Sequence, residues 1–186
     1  LTYDISQIQI AKGYVSVLDG PGGLGGAINL VTKKPWKALE AEWHSQVDFG
    51  NTGQYDGVKN YGRVGTKQDK YYLQASATWR KSDGWELPMG FASTVNSADK
   101  RIHEDGGRRD FSASEDWNVN AKAGWTPNAT DEYSVSFIHQ EGKKNAPYNV
   151  EPTATIKNFW SWPEWNVQIL SAATKTDIGD SSYVKT

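Results

Sequence analysis

Strict alternation of apolar and polar residues over unusually long segments is the feature that most constrains the fold of this chain. The first clear segment covers twelve residues, 38 to 49. On one face only Ser45 is polar: Leu39, Ala41, Trp43, Ser45, Val47 and Phe49. The other face is polar throughout: Glu40, Glu42, His44, Gln46 and Asp48. The segment is about twice as long as a usual soluble strand, and its length suits a tilted strand that crosses a membrane.

Two later segments repeat this pattern and carry aromatic residues at both ends of the apolar face. Tyr71 and Trp79 lie eight residues apart in one segment, as do Trp117 and Trp125 in the other. Eight residues at roughly 3.3 Å each cover about 26 Å along a strand. A tilt of about 40° reduces this to roughly 20 Å of height, close to the apolar band between the aromatic girdles of an outer-membrane barrel.

Weaker alternation marks the other expected strands. The segment 55–66 is rich in glycine, so its assignment as a strand is ambiguous. In the segment 133–139 the alternation breaks at Ile138, an apolar residue at a position where a polar one is expected. Two short strands precede the long ones, the first with mixed parity and the second halted by Pro35. The weaker strands are expected at residues 5–11, 27–32, 55–66, 133–139 and 160–174, and one more begins at the C-terminus.

Connections between the expected strands alternate between short turns and long loops. Short turns are expected at residues 67–70, 126–130 and 177–180, and long polar loops at 81–114 and 141–159. Outer-membrane barrels have this asymmetry, with short periplasmic turns and long external loops. We therefore expect antiparallel neighbouring strands, with both long loops outside the cell.

Composition narrows the class of protein. The 186 residues carry a formal net charge of −2, so no basic surplus favours a nucleic-acid partner. Mean hydropathy is −0.68 and no apolar run is long enough for a transmembrane helix, although barrel strands are half polar and escape this test. Nine Trp and nine Tyr form a high aromatic content, and both residues favour membrane interfaces. Cysteine is absent, which excludes disulfides and thiolate metal sites.

Two other classes of protein stay open as alternatives. A soluble, Trp-rich β-domain that binds carbohydrate or protein would also show alternating strands. An outer-membrane barrel enzyme would need a catalytic Ser/His pair. The sequence shows no Ser/His/Asp set, no paired carboxylates and no metal-ligand spacing, so no catalytic residues and no metal site are expected.

Neither end of the chain carries a targeting signal. The first seven residues have no basic start and no apolar stretch, and the C-terminus stops inside an expected strand. We expect the chain to be a fragment of a longer protein.

A glycine-rich segment precedes the first long strand and carries a specific motif. It reads Gly20-Pro-Gly-Gly-Leu-Gly-Gly-Ala-Ile-Asn-Leu-Val-Thr-Lys-Lys-Pro35. Upstream, a short strand ends at Gly13 and a turn contains Ser16. Over about 30 residues, this region resembles the end of the plug domain of TonB-dependent outer-membrane receptors. That family's pattern ends in Gly-Gly-x-Ile-Asn-x-x-Thr-Lys-x-Pro.

The resemblance implies an all-β chain with two parts. Residues 1–35 would be the C-terminal end of a plug domain. Residues 36–186 would be about six to seven strands of a transmembrane antiparallel β-barrel. Complete barrels of this class have about 22 strands, so this barrel would be incomplete.

The resemblance also implies a function and partners. It implies a receptor of the siderophore type, which takes up a scarce nutrient across the bacterial outer membrane. A ferric siderophore or similar chelate is the expected ligand, and outer-membrane lipid surrounds the barrel. TonB would supply energy through a segment that is not in this chain. No cofactor and no enzymatic activity are expected.

The residues of the plug motif have expected structural roles. Glycine lets the backbone take positive φ and pack tightly. Asn29 and Thr32 can hydrogen-bond either the barrel wall or the local backbone, and the local role is the preferred interpretation. The motif residues are Gly13, Ser16, Gly20, Gly25, Gly26, Asn29 and Thr32.

The candidate ligand-binding residues are three arginines of the first long loop: Arg101, Arg108 and Arg109. They can attract an anionic chelate, and the alternative is a solvated loop. His103, Glu104 and Asp105 lie in the same loop. They are not expected to bind a metal, because adjacent residues of an extended chain point apart.

Three carboxylates of the first long strand are expected to face the lumen: Glu40, Glu42 and Asp48. They are either solvated or paired with lysines of the plug segment. The available lysines are Lys12, Lys33 and Lys34. The solvated state is the preferred interpretation.

Overall fold

The computed structural model describes residues 2–13, 25–95, 97, 100, 103–149, 153, 160–179 and 182–186. A short 3₁₀ turn, Thr2–Asp4, is followed by eleven strands. The strands are β1 Ile5–Lys12, β2 Gly26–Thr32, β3 Glu40–Phe49, β4 Tyr55–Lys67, β5 Tyr71–Ser82, β6 Thr94–Val95, β7 His103–Glu104, β8 Ser114–Trp125, β9 Glu132–Ala146, β10 Trp160–Asp177 and β11 Tyr183–Lys185. Within these ranges no helix is long and apolar enough to cross a membrane.

Seven strands form one antiparallel sheet, which we call the wall. Its strand order is β11-β10-β9-β8-β5-β4-β3. Strands that follow one another in the chain are neighbours, except that the small β6–β7 hairpin is inserted between β5 and β8. The prediction of an all-β fold with long antiparallel strands is confirmed.

In the wall, polar side chains are buried and apolar side chains are exposed, which is the reverse of a sheet in a soluble protein. On β5, Leu73 and Trp79 are 48% and 38% exposed. The intervening Tyr72 and Thr78 are only 2% and 3% exposed. The alternation that the sequence shows is therefore real: on β5 and β8 the polar face is covered and the apolar face is bare, whereas β10 is exposed along most of its length. We call these two sides of the wall its covered face and its apolar face. Soluble proteins rarely leave large apolar patches exposed, and such a patch marks an interaction or membrane surface.

The extent of exposed surface supports this description. The chain exposes 12438 Å². A compact monomer of 20.7 kDa exposes about 8,900 Å². Among the described apolar residues, only Tyr61 and Tyr72 are buried. The wall therefore lacks the apolar core that would stabilise it in water.

A second sheet consists of the β1–β2 pair. The strands are antiparallel, with Lys12 opposite Gly26 and Ile8 opposite Leu30. Gly26 has a φ of +142°, and a Cβ there would meet the carbonyl oxygen of Ala11, so the pairing requires glycine at this position. We call residues 2–13 and 25–34 the N-terminal hairpin.

The structure differs from the expected assignment in both long loops. The expected loop 81–114 contains β6, β7 and a bridge between Glu86 and Arg108. Strand β9 continues to Ala146, so the second long loop begins later than residue 141. The parity break at Ile138 also has a structural reason: Ile138 lies opposite Ile169 on the covered face.

The assignment of faces predicts the effect of charge on β8. Ala121 lies on the bare apolar face, opposite Phe137. If lipid covers this face, Ala121→Arg will lower the free energy of unfolding in lipid by about 2–4 kcal/mol. A denaturant titration in lipid vesicles measures the change. The matched control Ala121→Leu adds bulk without charge and is expected to have little effect. Equal destabilisation by both variants would contradict the assignment.

Candidate functional site between the N-terminal hairpin and the wall

The carboxylate of Asp4 joins the hairpin to three adjacent wall strands. It accepts hydrogen bonds from Tyr61 Oη at 2.7 Å, Ser76 Oγ at 2.7 Å and Asn120 Nδ2 at 2.5 Å. These donors belong to β4, β5 and β8. The 3₁₀ turn ends at Asp4 and places its side chain at the covered face. Hydrogen bonds to an ionised group are stronger than those between neutral groups, so Asp4 is a firm anchor.

An aromatic stack lies beside this anchor. The ring of Tyr3 is parallel to that of His44, with 4.8 Å between centroids and 6° between planes. Lys59 Nζ lies over the Tyr3 ring, 4.3 Å from its centroid. Tyr3 is therefore attached to β3 by stacking and to β4 by cation–π attraction.

The end of the hairpin is attached by two consecutive lysines. Lys33 Nζ is 2.9 Å from Glu42 Oε1 on β3. Lys34 Nζ is 2.5 Å from Glu132 Oε1 on β9. Consecutive side chains of an extended segment point in opposite directions, so the pair reaches well-separated strands. The hairpin is thus bound to the wall at its start and at its end.

Thr32 also contacts the wall, because its Oγ1 accepts a hydrogen bond from Lys122 Nζ at 3.2 Å. Asn29 instead donates to Gln9 Oε1 at 2.9 Å, within the hairpin. The preferred interpretation, a contact with the local backbone, therefore describes neither of these contacts: Asn29 bonds a side chain of the hairpin and Thr32 bonds the wall.

Two of the three carboxylates expected to face a lumen are paired rather than solvated. Glu40 Oε1 accepts from Arg63 Nη1 at 2.6 Å, and both side chains are largely buried. Glu42 binds Arg63 Nε at 3.2 Å as well as Lys33. The preferred interpretation was wrong for these two residues, because neighbouring cations neutralise them. Asp48 is exposed, and its described side-chain contact is with Gln46 at 2.6 Å.

The described part of the glycine motif lies at the end of the hairpin where β1 finishes and β2 begins. Gly13 has a φ of +90° and donates its N–H to the carbonyl of Gly25 at 3.3 Å. Gly25 directly precedes β2, and Gly26 is its first residue. Ser16 and Gly20 lie outside the described residues. The assignment of these residues to a plug motif stays a prediction.

A second polar cluster lies in the loop between β5 and β8. Glu104 is fully buried and forms an ion pair with Arg109. It also accepts the backbone N–H of Asp110 at 3.2 Å and of Gly106 at 3.4 Å. A buried carboxylate needs such partners, because burial without them is very costly. Glu104 therefore organises the loop, a role that its sequence context did not reveal.

Arg109 also ties this loop to the segment after β9. Its guanidinium donates to the carbonyl of Tyr148 and lies 5.2 Å from the centroid of that ring. The Tyr148 hydroxyl donates to Asp110 Oδ2 at 2.9 Å. Burial first, and then this hydrogen bond, raise the pKa of Tyr148 to about 12.

The remaining loop contacts involve the neighbouring turn and strand. Glu86 accepts from the hydroxyl and the N–H of Thr52, and the hydroxyl contact contributes most to the lowered pKa of Glu86. Arg108 pairs with Asp56 at 3.0 Å and donates to the carbonyl of Tyr55. Arg108 and Arg109 thus both form ion pairs and hydrogen bonds within the chain. Arg101 lies outside the described residues, and ligand binding by the three arginines stays a prediction.

No group of three or more His, Cys, Asp or Glu suited to a metal ion occurs among the residues that the model describes. His103 lies 2.6 Å from Ser93 Oγ, but Glu104 beside it is committed to Arg109.

Comparison with known proteins gives one informative result. No family model matches the sequence, and no curated protein matches it. Among solved structures, the copper transporter OprC has a similar fold, with a TM-score of 0.65 at 15% sequence identity. The similarity covers 98% of this chain and 24% of OprC. The chain therefore spans about a quarter of OprC's length and shares the fold of that part.

The Asp4 anchor makes a direct prediction. Asp4→Ala leaves three donors of the covered face without their acceptor, and each such loss costs about 1–3 kcal/mol. We expect faster hydrogen exchange at the backbone amides of β1 and β2, measured by mass spectrometry. Asp48→Ala removes an exposed carboxylate from the same face and is the matched control. Unchanged exchange in Asp4→Ala would show that Asp4 does not hold the hairpin.

Arg109 is expected to be essential for the loop. Arg109→Ala leaves Glu104 buried without its cation, which costs about 3–5 kcal/mol. Protection of residues 103–113 against hydrogen exchange should fall strongly. Lys81→Ala removes an exposed cation nearby and should leave this protection unchanged. Equal protection in both variants would mean that the ion pair does not organise the loop.

Tyr148 should make the loop contact sensitive to alkali. Its pKa of about 12 in the folded protein exceeds the unperturbed value of about 10. The contribution of the Tyr148–Asp110 hydrogen bond is therefore complete below pH of about 10 and is lost as pH rises towards 12. Tyrosinate absorbance, compared between the wild type and Tyr148→Phe, isolates this group. A difference spectrum that titrates near pH 10 would refute the contact.

Proposed function

We propose that this chain is part of a TonB-dependent outer-membrane transporter. In this proposal the N-terminal hairpin is the end of a plug domain, and the wall is the first part of the barrel. One observation carries the proposal: the apolar face of the wall is bare, whereas its polar face is covered by a hairpin attached through Asp4, Lys33 and Lys34. Lipid outside and a polar plug inside satisfy both faces.

The similarity to the fold of OprC is a second observation that supports the proposal. OprC is a copper transporter, and its likeness to this chain covers both the hairpin and the wall. The glycine-rich motif resembles the plug of this class of receptor, independently of that comparison. The proposed domains are residues 1–35 and 36–186, as the sequence motif indicates.

The proposed substrate is a metal chelate, with a ferric siderophore as the first candidate. TonB would act as the energy-transducing partner through a segment outside this chain. The protein would bind and translocate its substrate unchanged, and so would not be an enzyme.

Growth of the parent organism tests this function. A strain lacking the complete gene should lose growth on at least one ferric siderophore supplied as the sole iron source. The intact gene should restore growth, and a strain lacking TonB should show the same defect. Copper-limited medium is tested in parallel because of the similarity to OprC. Normal growth of the deletion strain on every iron and copper source would overturn the proposal.

A further inference from the structure

A cleft of about 390 Å³ opens on the covered face of the wall, near the ends of β5, β8 and β9 and the start of β10. Two tryptophans and two cationic side chains line the cleft, together with a glycine that has no side chain. These residues are Trp162, Trp165, Arg80, Lys144 and Gly142. The volume of the cleft is within the range of small-molecule sites. Two larger clefts are lined mainly by the bare apolar face and belong to the proposed lipid surface. A third, of about 430 Å³, adjoins the cleft and shares Lys144 and Trp162 with it.

A β-bulge explains why both tryptophans line this cleft. Residues three apart in a regular strand point to opposite faces. The pairing of β10 with β9 shifts between Trp162 and Trp165, so that Trp162 lies opposite Lys144 and Trp165 opposite Gly142. Both partners belong to the covered face of β9. Bulges re-aim side chains in this way, and they are enriched near functional sites.

The register also places the cleft above the attachment of the hairpin. Along the wall, Tyr61 lies opposite Thr78, and Thr78 opposite Asn118. Arg80 and Asp116 form the next row on the same face, towards the loop end. The hairpin therefore covers the rows around Asp4, whereas Trp162 and Trp165 remain 41% and 56% exposed.

The charges of the cleft favour an anion. Arg80 Nε is 3.4 Å from Asp116 Oδ2, and this carboxylate neutralises it in part. Lys144 is exposed and forms no ion pair or side-chain hydrogen bond with any residue that the model describes. The cleft thus presents one uncompensated ammonium beside two indole faces. Indoles stack on planar rings, and an ammonium attracts a carboxylate or phenolate.

We infer that this cleft binds a planar, anionic aromatic group of the transported chelate, such as a catecholate. The inference rests on the proposed function and specifies its substrate class. Trp162 and Trp165 would stack on the ring. Lys144 and the guanidinium of Arg80 would contact its oxygens. Gly142 has no side chain and would therefore leave room for the ring.

Binding of two contrasting ferric complexes tests the inference. The full-length protein in detergent is dialysed to equilibrium with radioactive iron as ferric 2,3-dihydroxybenzoate, an anionic aromatic complex. Ferric acetohydroxamate, which is neutral and aliphatic, is the second probe. We expect Lys144→Gln and Trp165→Ala each to weaken binding of the aromatic complex about tenfold, the size of one lost charge-assisted contact. Lys144→Arg should retain binding.

Control variants separate this effect from misfolding. Lys70→Gln and Trp125→Ala remove the same chemical groups at the opposite end of the wall and should bind both probes as the wild type does. Folding of each variant is confirmed by circular dichroism. Wild-type affinity in both folded cleft variants, or an equal loss for both probes, would overturn the cleft assignment. Failure of the growth test would instead overturn the proposed function, so the two failures are distinguishable.

Discussion

The bare apolar face of the wall is the constraint on which the rest of the structure depends. Side chains such as Trp43 and Leu170 are 70% and 75% exposed. Exposure of apolar surface to water costs about 25 cal/mol per Å², so this face needs an apolar cover, and the proposed function assigns that cover to lipid. In lipid, every backbone N–H and C=O must find a partner within the protein. Long strands in one antiparallel meander provide such pairing for the strands between the two edges, β11 and β3.

The polar face then needs a polar cover, which the hairpin provides. Its attachments are a carboxylate held by neutral donors at Asp4 and ion pairs at Lys33 and Lys34. An interface of this kind can separate into water without exposing an apolar core. Under the proposed function, this property suits a plug that has to move, because a plug fixed by apolar packing would not have it. The cleft near Trp165 lies beyond the rows of the wall that the hairpin covers.

The sequence predicted the faces of β3, β5 and β8, because period-two alternation depends only on local chain geometry. It predicted β9 and β10 less well, because Ile138 lies on the covered face and a bulge after Trp162 resets the parity. The partners of Asp4 could not be predicted. They lie between 57 and 116 residues away, and only the strand order brings them together. The burial of Glu104 has the same origin, since it depends on the tertiary fold of its loop.

Site-directed spin labelling of β5 tests the central claim most directly. These 186 residues contain no cysteine, so single cysteines can be introduced one at a time without a competing thiol within them. Labels at residues 73, 75 and 77 of the full-length protein in lipid vesicles should collide with oxygen, which dissolves in lipid. Labels at residues 74, 76 and 78 should be shielded from it. Collision rates without a period of two, or greater access of a water-soluble relaxant to the odd positions, would contradict the account.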